Sequence, residues 1–174
     1  MKTSLITILL FTLLTFASYS EAREEIRTLP LAVDMQKTAH IAAQKKVPIV
    51  LFMTASWCHF CHRLKENIID PLLIHTNLAD YAEFREVVQD KDGWHMKDFQ
   101  GHLVDMPVFA KKLKATLTPT TLFFDPQGHE ISERIIGLTL EEHYPFYLQQ
   151  GINEGLKKLG NPKQLDINKL QFDE

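Results

Sequence analysis

Five consecutive apolar residues, Ile49-Val50-Leu51-Phe52-Met53, place the tightest limit on what this chain can fold into. A run without polar alternation reads as a strand buried on both faces. Such a strand needs structure above and below it. The period then changes: Phe60, Leu64, Ile68 and Leu72 are four apart, the spacing of an amphipathic helix. The junction, Thr54-Ala55-Ser56-Trp57-Cys58-His59-Phe60-Cys61-His62, holds the only two cysteines in the 174 residues.

The surrounding segments build an alternating order. Residues 31–45 read as a helix, with Leu31, Met35, Ala39 and Ala42 at helical spacing, stopped by Val47-Pro48. Asp70-Pro71 is expected to kink or end the helix after the cysteines. Residues 84–88 form a shorter, more polar strand. An insert at about 90–104 follows, in which residues 99–102 can turn a small hairpin. Asp105-Met106-Pro107 opens a helix to about Lys114, with Asp105 as cap. Residues 120–124 are β-prone, Asp125-Pro126-Gln127-Gly128 is turn chemistry, and 131–136 can pair back. Thr139-x-x-Glu142 has the form of a capping box for a last helix, striped by Leu148, Ile152, Leu156 and Leu159. Pro145 must bend that helix or split off its first turn. The fold class is therefore α/β: a central mixed sheet with helices on both faces.

The ends carry less. Leu5 to Ala17 is almost wholly apolar, preceded by Lys2 and followed by Ser20-Glu21-Ala22. This is the outline of a cleaved signal peptide over residues 1–22, and the apolar stretch falls short of the ~20 residues that span a bilayer. Residues 23–162 read as one domain, and 163–174 as a loosely held tail. The expected location is periplasmic or secreted. A formal net charge of −3, without a long basic run, gives no reason to expect nucleic acid as a partner.

An exported protein stapled for stability would scatter several cysteines. Cys58 and Cys61 close a very small loop, so a disulfide between them removes little unfolded-state entropy. Chemistry explains the pair better, and three chemistries fit. A redox-active dithiol is one. Covalent haem attachment is a second, because Cys58-x-x-Cys61-His62 matches the c-type pattern, with Met53, Met96 or Met106 as a sixth ligand. A copper- or metal-handling dithiol with His95 and His102 is a third. Four ligands among Cys58, His59, Cys61 and His62 cannot easily surround one ion tetrahedrally, so no metal site is assigned.

Trp57-Cys58-x-x-Cys61 after the central strand, with Thr118-Pro119-Thr120 before the final hairpin, resembles the thioredoxin superfamily over about residues 30–160. It looks most like exported bacterial thioredoxin-like proteins, including those associated with sulfur oxidation and the carboxy-terminal domain of the Dsb membrane reductase. The resemblance implies a thioredoxin fold and thiol–disulfide exchange with partner proteins, needing no cofactor beyond the Cys58–Cys61 disulfide. Cys58, at the exposed N-terminal end of its helix, would attack, and Cys61, more buried, would resolve. Trp57, His59 and Phe60 would tune the dithiol and shape its docking face. Thr118 would offer backbone to an extended substrate, beside a cis Thr118–Pro119 bond, and Gly137 would be a third point of approach. The family's usual buried aspartate is replaced by Phe52, leaving Glu66 on the next helix as a candidate proton acceptor for Cys61. A membrane or soluble thiol–disulfide electron partner, a monomeric state and a slight lean toward reductase complete the expectation.

Overall fold

The computed structural model describes residues 28–170. The signal-peptide reading of residues 1–22 lies outside them. Four strands form the central sheet in the order β2-β1-β5-β6: β1 (Ile49–Thr54), β2 (Glu83–Val88), β5 (Thr120–Phe124) and β6 (Ile135–Ile136). β1 pairs parallel with β2, and β5 pairs antiparallel with both β1 and β6. All residues of β1 and β5 are buried, as an uninterrupted apolar run requires of a central strand.

α1 (Met35–Lys45) begins later than its apolar spacing predicts. Asp34 caps it by accepting from the Lys37 N–H at 2.8 Å. The residues before the cap form a strand-like segment instead: Ala32 N–H donates to the Glu86 carbonyl and Glu86 N–H to the Pro30 carbonyl, both 2.8 Å. Leu31 thus bridges the outer edge of β2 rather than opening a helix.

The helix after the cysteines is continuous but changes pitch. α2 (His59–Leu64) passes through a π-turn (Lys65–Ile69) into α3 (Asp70–His75). Pro71 lacks an N–H, and the wider turn before it absorbs that loss, so the proline neither ends nor sharply breaks the helix. A crossover of this kind is what joins parallel neighbours.

The insert is a two-stranded hairpin, β3 (His95–Lys97) against β4 (Leu103–Asp105). α4 (Met106–Lys112) follows. Asp105 precedes it but makes no side-chain cap bond; its carboxylate pairs with His95 across the hairpin. The last helix, α5 (Tyr144–Lys158), also differs in its start. A short 3-10 turn (Glu141–His143) comes first, with Leu140 at its cap position, so the Thr139 capping box does not form. Pro145 then sits in the first turn of α5, where no N–H is needed. As far as Leu170 the tail is docked rather than loose. Asn153 and the Leu165 backbone exchange two hydrogen bonds, Gln149 accepts from the Ile167 N–H, and Leu165 and Leu170 are buried.

α5 crosses β5 where Gly151 lies over the Phe123 ring. A Cβ there would come within 2.3 Å of the ring. Gly151→Ala is expected to cost about 1–3 kcal/mol by overpacking, read from urea unfolding midpoints.

Candidate functional site

β1 delivers the chain to the site and α2 carries it away. Cys58 occupies the cap position of α2, and its sulfur accepts from the Cys61 backbone N–H at 3.1 Å. The two cysteines are joined as a disulfide, with Cα atoms 5.2 Å apart. Unpaired N–H groups and the positive end of the helix dipole favour negative charge at this position, so a Cys58 thiolate is stabilised where it forms. The expected contrast in burial is small: Cys58 is 4% exposed and Cys61 2%. What is exposed is the flanking aromatic pair. Trp57 is 74% exposed and Phe60 51%, which excludes a core role for Trp57. His59 is exposed beside Phe60, with ring centroids 6.2 Å apart, and the Arg63 guanidinium lies over the Phe60 ring at 6.0 Å.

Three bonds fix the loop before Trp57. Asp90 accepts from the Ser56 N–H at 2.8 Å and from the Ser56 hydroxyl. His62 Nε2 donates to the Ser56 carbonyl at 3.0 Å, so this exposed histidine braces the loop rather than standing free in solvent. Gln89 ties the same region to a second loop. Its N–H donates to the Thr54 carbonyl (2.9 Å), and its side-chain amide donates to the Thr116 carbonyl (2.9 Å). Thr116 belongs to the loop containing Thr118 and Pro119, whose peptide bond is cis. Pro119 is buried, and half-buried Thr118 makes no hydrogen bond to any described residue.

Burial pushes the Asp90 carboxyl up, but the bonds from the Ser56 hydroxyl and N–H together outweigh it and hold it below the ordinary value. A carboxyl depressed in the folded state stabilises above its unfolded value, 3.8, and loses that contribution as pH falls through its folded value. Asp90→Ala is expected to lower stability by about 1 kcal/mol at neutral pH. The gap between variant and wild type should close below about pH 3.8 in pH-dependent unfolding.

Behind the disulfide is a hollow of about 390 Å³ that touches Cys61 but not Cys58. Thr54, Lys65, Glu86 and Trp94 help to line it. Glu86 is 6% exposed. One of its carboxylate oxygens accepts from the Thr54 hydroxyl and the other from the Lys65 ammonium, each at 2.7 Å. Glu66 is exposed on the π-turn and is not part of this lining. The sequence reading passed over Glu86, Gln89 and Asp90. Their roles come from tertiary contacts, and β2, with Glu83, Arg85 and Glu86 all charged, gave no local mark that singled out Glu86.

The family model described as a thioredoxin-like domain matches residues 35–152, more than half of the chain. The chain belongs to the thioredoxin-like family. Solved thioredoxins are similar to it at low identity. One from Fasciola hepatica is 17% identical at TM-score 0.49, covering 70% of this chain and 98% of its own. One from Nicotiana alata is 19% identical at 0.48, covering 70% and 94%. Thioredoxin O2 from Arabidopsis thaliana, oxidised, is 19% identical at 0.46, covering 72% and 94%. No curated protein matches the sequence significantly. This thioredoxin-like domain brings Trp57, Cys58, His59, Phe60 and Cys61 to one end of β1, and Gln89 ties that end to the Thr118–Pro119 loop. The methionines of the haem alternative, Met53, Met96 and Met106, are all buried in the core. Among the described residues no group of three or more metal-binding side chains gathers.

Proposed function

We propose that this thioredoxin-like protein is a thiol–disulfide oxidoreductase acting on partner proteins outside the cytosol. The observation that carries the reading is the Cys58–Cys61 disulfide at the start of α2, with the Cys58 sulfur accepting a backbone N–H. A Cys58 thiolate attacks a partner disulfide, forms a mixed disulfide and expels one partner thiolate. Cys61 then attacks Cys58 sulfur, re-forms the internal disulfide and releases the second partner thiol. The unpaired Thr118 backbone supports strand-like docking of the partner.

The proton that Cys61 must lose goes to Glu86, through water in the hollow they share. Burial and the Thr54 and Lys65 contacts orient that carboxylate, whereas Glu66 faces solvent. Export rests on the apolar leader at residues 5–17, and reduction as the favoured direction on the resemblance to exported reductases. The reduction potential of the Cys58–Cys61 pair tests direction. A value near −270 mV, that of a reducing thioredoxin, supports the reading, and one near −120 mV marks an oxidant. Absence of exchange with any protein disulfide after complete reduction of the pair overturns the activity itself.

A further inference from the structure

A groove of about 690 Å³ lies between β6 and α5, on the side of the sheet opposite β2. One end of it adjoins the Thr118–Pro119 loop and the helix that starts at the dithiol. The Gly137 N–H donates to the Pro119 carbonyl at 2.7 Å. Leu140, on the rim, precedes Glu141, whose carboxylate binds Arg63 of α2 and Asn67 of the π-turn. From there the groove follows β6 backwards to Glu133 and α5 forwards to Glu154.

Its walls suit an extended polypeptide. Pro119 and Gly137 face each other as a hydrogen-bonded pair, so Thr120 and Ile136 form the next, non-bonded pair of the antiparallel ladder. The N–H and C=O of Ile136 therefore point to the open edge, ready to pair with an added strand. Ile136, Leu140 and Tyr147 are about half exposed beside that edge.

Its free charge is negative. The Arg134 guanidinium is committed to Glu130 and to the carbonyls of Leu113 and Lys114. Glu154 is held by Lys158 and Ser132. Glu133 is exposed and pairs with no described residue.

We propose that the groove seats an extended segment of the partner polypeptide, and that Glu133 selects a lysine or arginine in it. This deepens the dithiol reading and rests on it. Glu133 is four positions from Gly137, which bonds to the Pro119 loop beside α2, so the proposal sets the selected cation about four residues from the partner's cysteine.

The test uses peptides with one cysteine blocked as a disulfide with 2-mercaptoethanol. Each carries lysine or glutamate four residues to either side of that cysteine. The fully reduced protein is expected to react about three- to fivefold faster, as kcat/KM at low ionic strength, with a lysine peptide than with its glutamate counterpart. The preference should fade with salt, vanish in Glu133→Gln and reverse in Glu133→Lys. Hydroxyethyl disulfide, uncharged and too small to reach the groove, checks the dithiol separately in the wild-type protein. Equal rates for lysine and glutamate peptides while hydroxyethyl disulfide reacts overturn the groove proposal alone. A dimer in sedimentation that Glu133→Lys dissociates also overturns it, since a second copy then fills the groove. Failure of hydroxyethyl disulfide to react removes the dithiol reading and this one with it.

Discussion

Cys58→Ser is expected to reduce disulfide exchange to background, whereas Cys61→Ser should stall with the partner attached. The asymmetry follows from where the sulfurs sit. Cys58 stands at the helix start, where its thiolate receives the Cys61 N–H, so it is the attacking group and no neighbour substitutes for it. Cys61 lies within the first turn and faces the rear hollow, so its loss leaves attack intact and removes resolution. Non-reducing electrophoresis and intact mass spectrometry after mixing with a disulfide protein should show a covalent adduct for Cys61→Ser and none for Cys58→Ser. Normal turnover by either variant contradicts the mechanism.

The second large effect belongs to Glu86. Glu86→Gln keeps the shape and one acceptor oxygen, enough for the Thr54 or the Lys65 bond but not both, and it cannot take up a proton from Cys61. Resolution of the mixed disulfide should slow by about 10²-fold at neutral pH, at the lower end of general-base effects. The deficit should shrink as pH rises, because hydroxide takes over the deprotonation of Cys61. The initial attack by Cys58 should change much less, since the hollow does not touch that sulfur. Rapid-quench measurement of the two steps across pH separates this from a structural defect, which would slow both steps at every pH. Glu66→Gln, altering the exposed carboxylate on the π-turn, should leave both steps near wild type. A matching pH-dependent loss there would return the proton to Glu66.

The sheet was legible because its signal is local. Five apolar residues in a row have few homes other than a central strand, and β1 occupies residues 49–54 as that run requires. The cysteines, too, announced a junction through spacing alone. Helix starts were less readable. Thr139 and Glu142 have capping-box spacing, yet Pro145 suits the first turn of a helix better than its interior, and α5 begins at Tyr144. Residues 31 and 32 read as the start of a helix by period, but Pro30 and Ala32 bond to Glu86, fifty-odd positions away, and no local pattern encodes that pairing. The same holds for the site's supports. Gln89 and Asp90 act by reaching Thr54, Ser56 and Thr116, and Glu86 by meeting Lys65 from another element. Their importance lies in tertiary contacts, where composition and periodicity are silent.

The pairing of residues 30–32 with β2 also has a consequence for assembly. It covers one margin of the sheet with a short stretch containing Pro30, and leaves β6 as the open margin among the described residues. Open-ended strand stacking needs two complementary margins on each molecule. A sheet sealed on one side can join only back to back through its single open side, and that union is closed after two molecules. Crowding this protein should therefore build no fibres through this sheet.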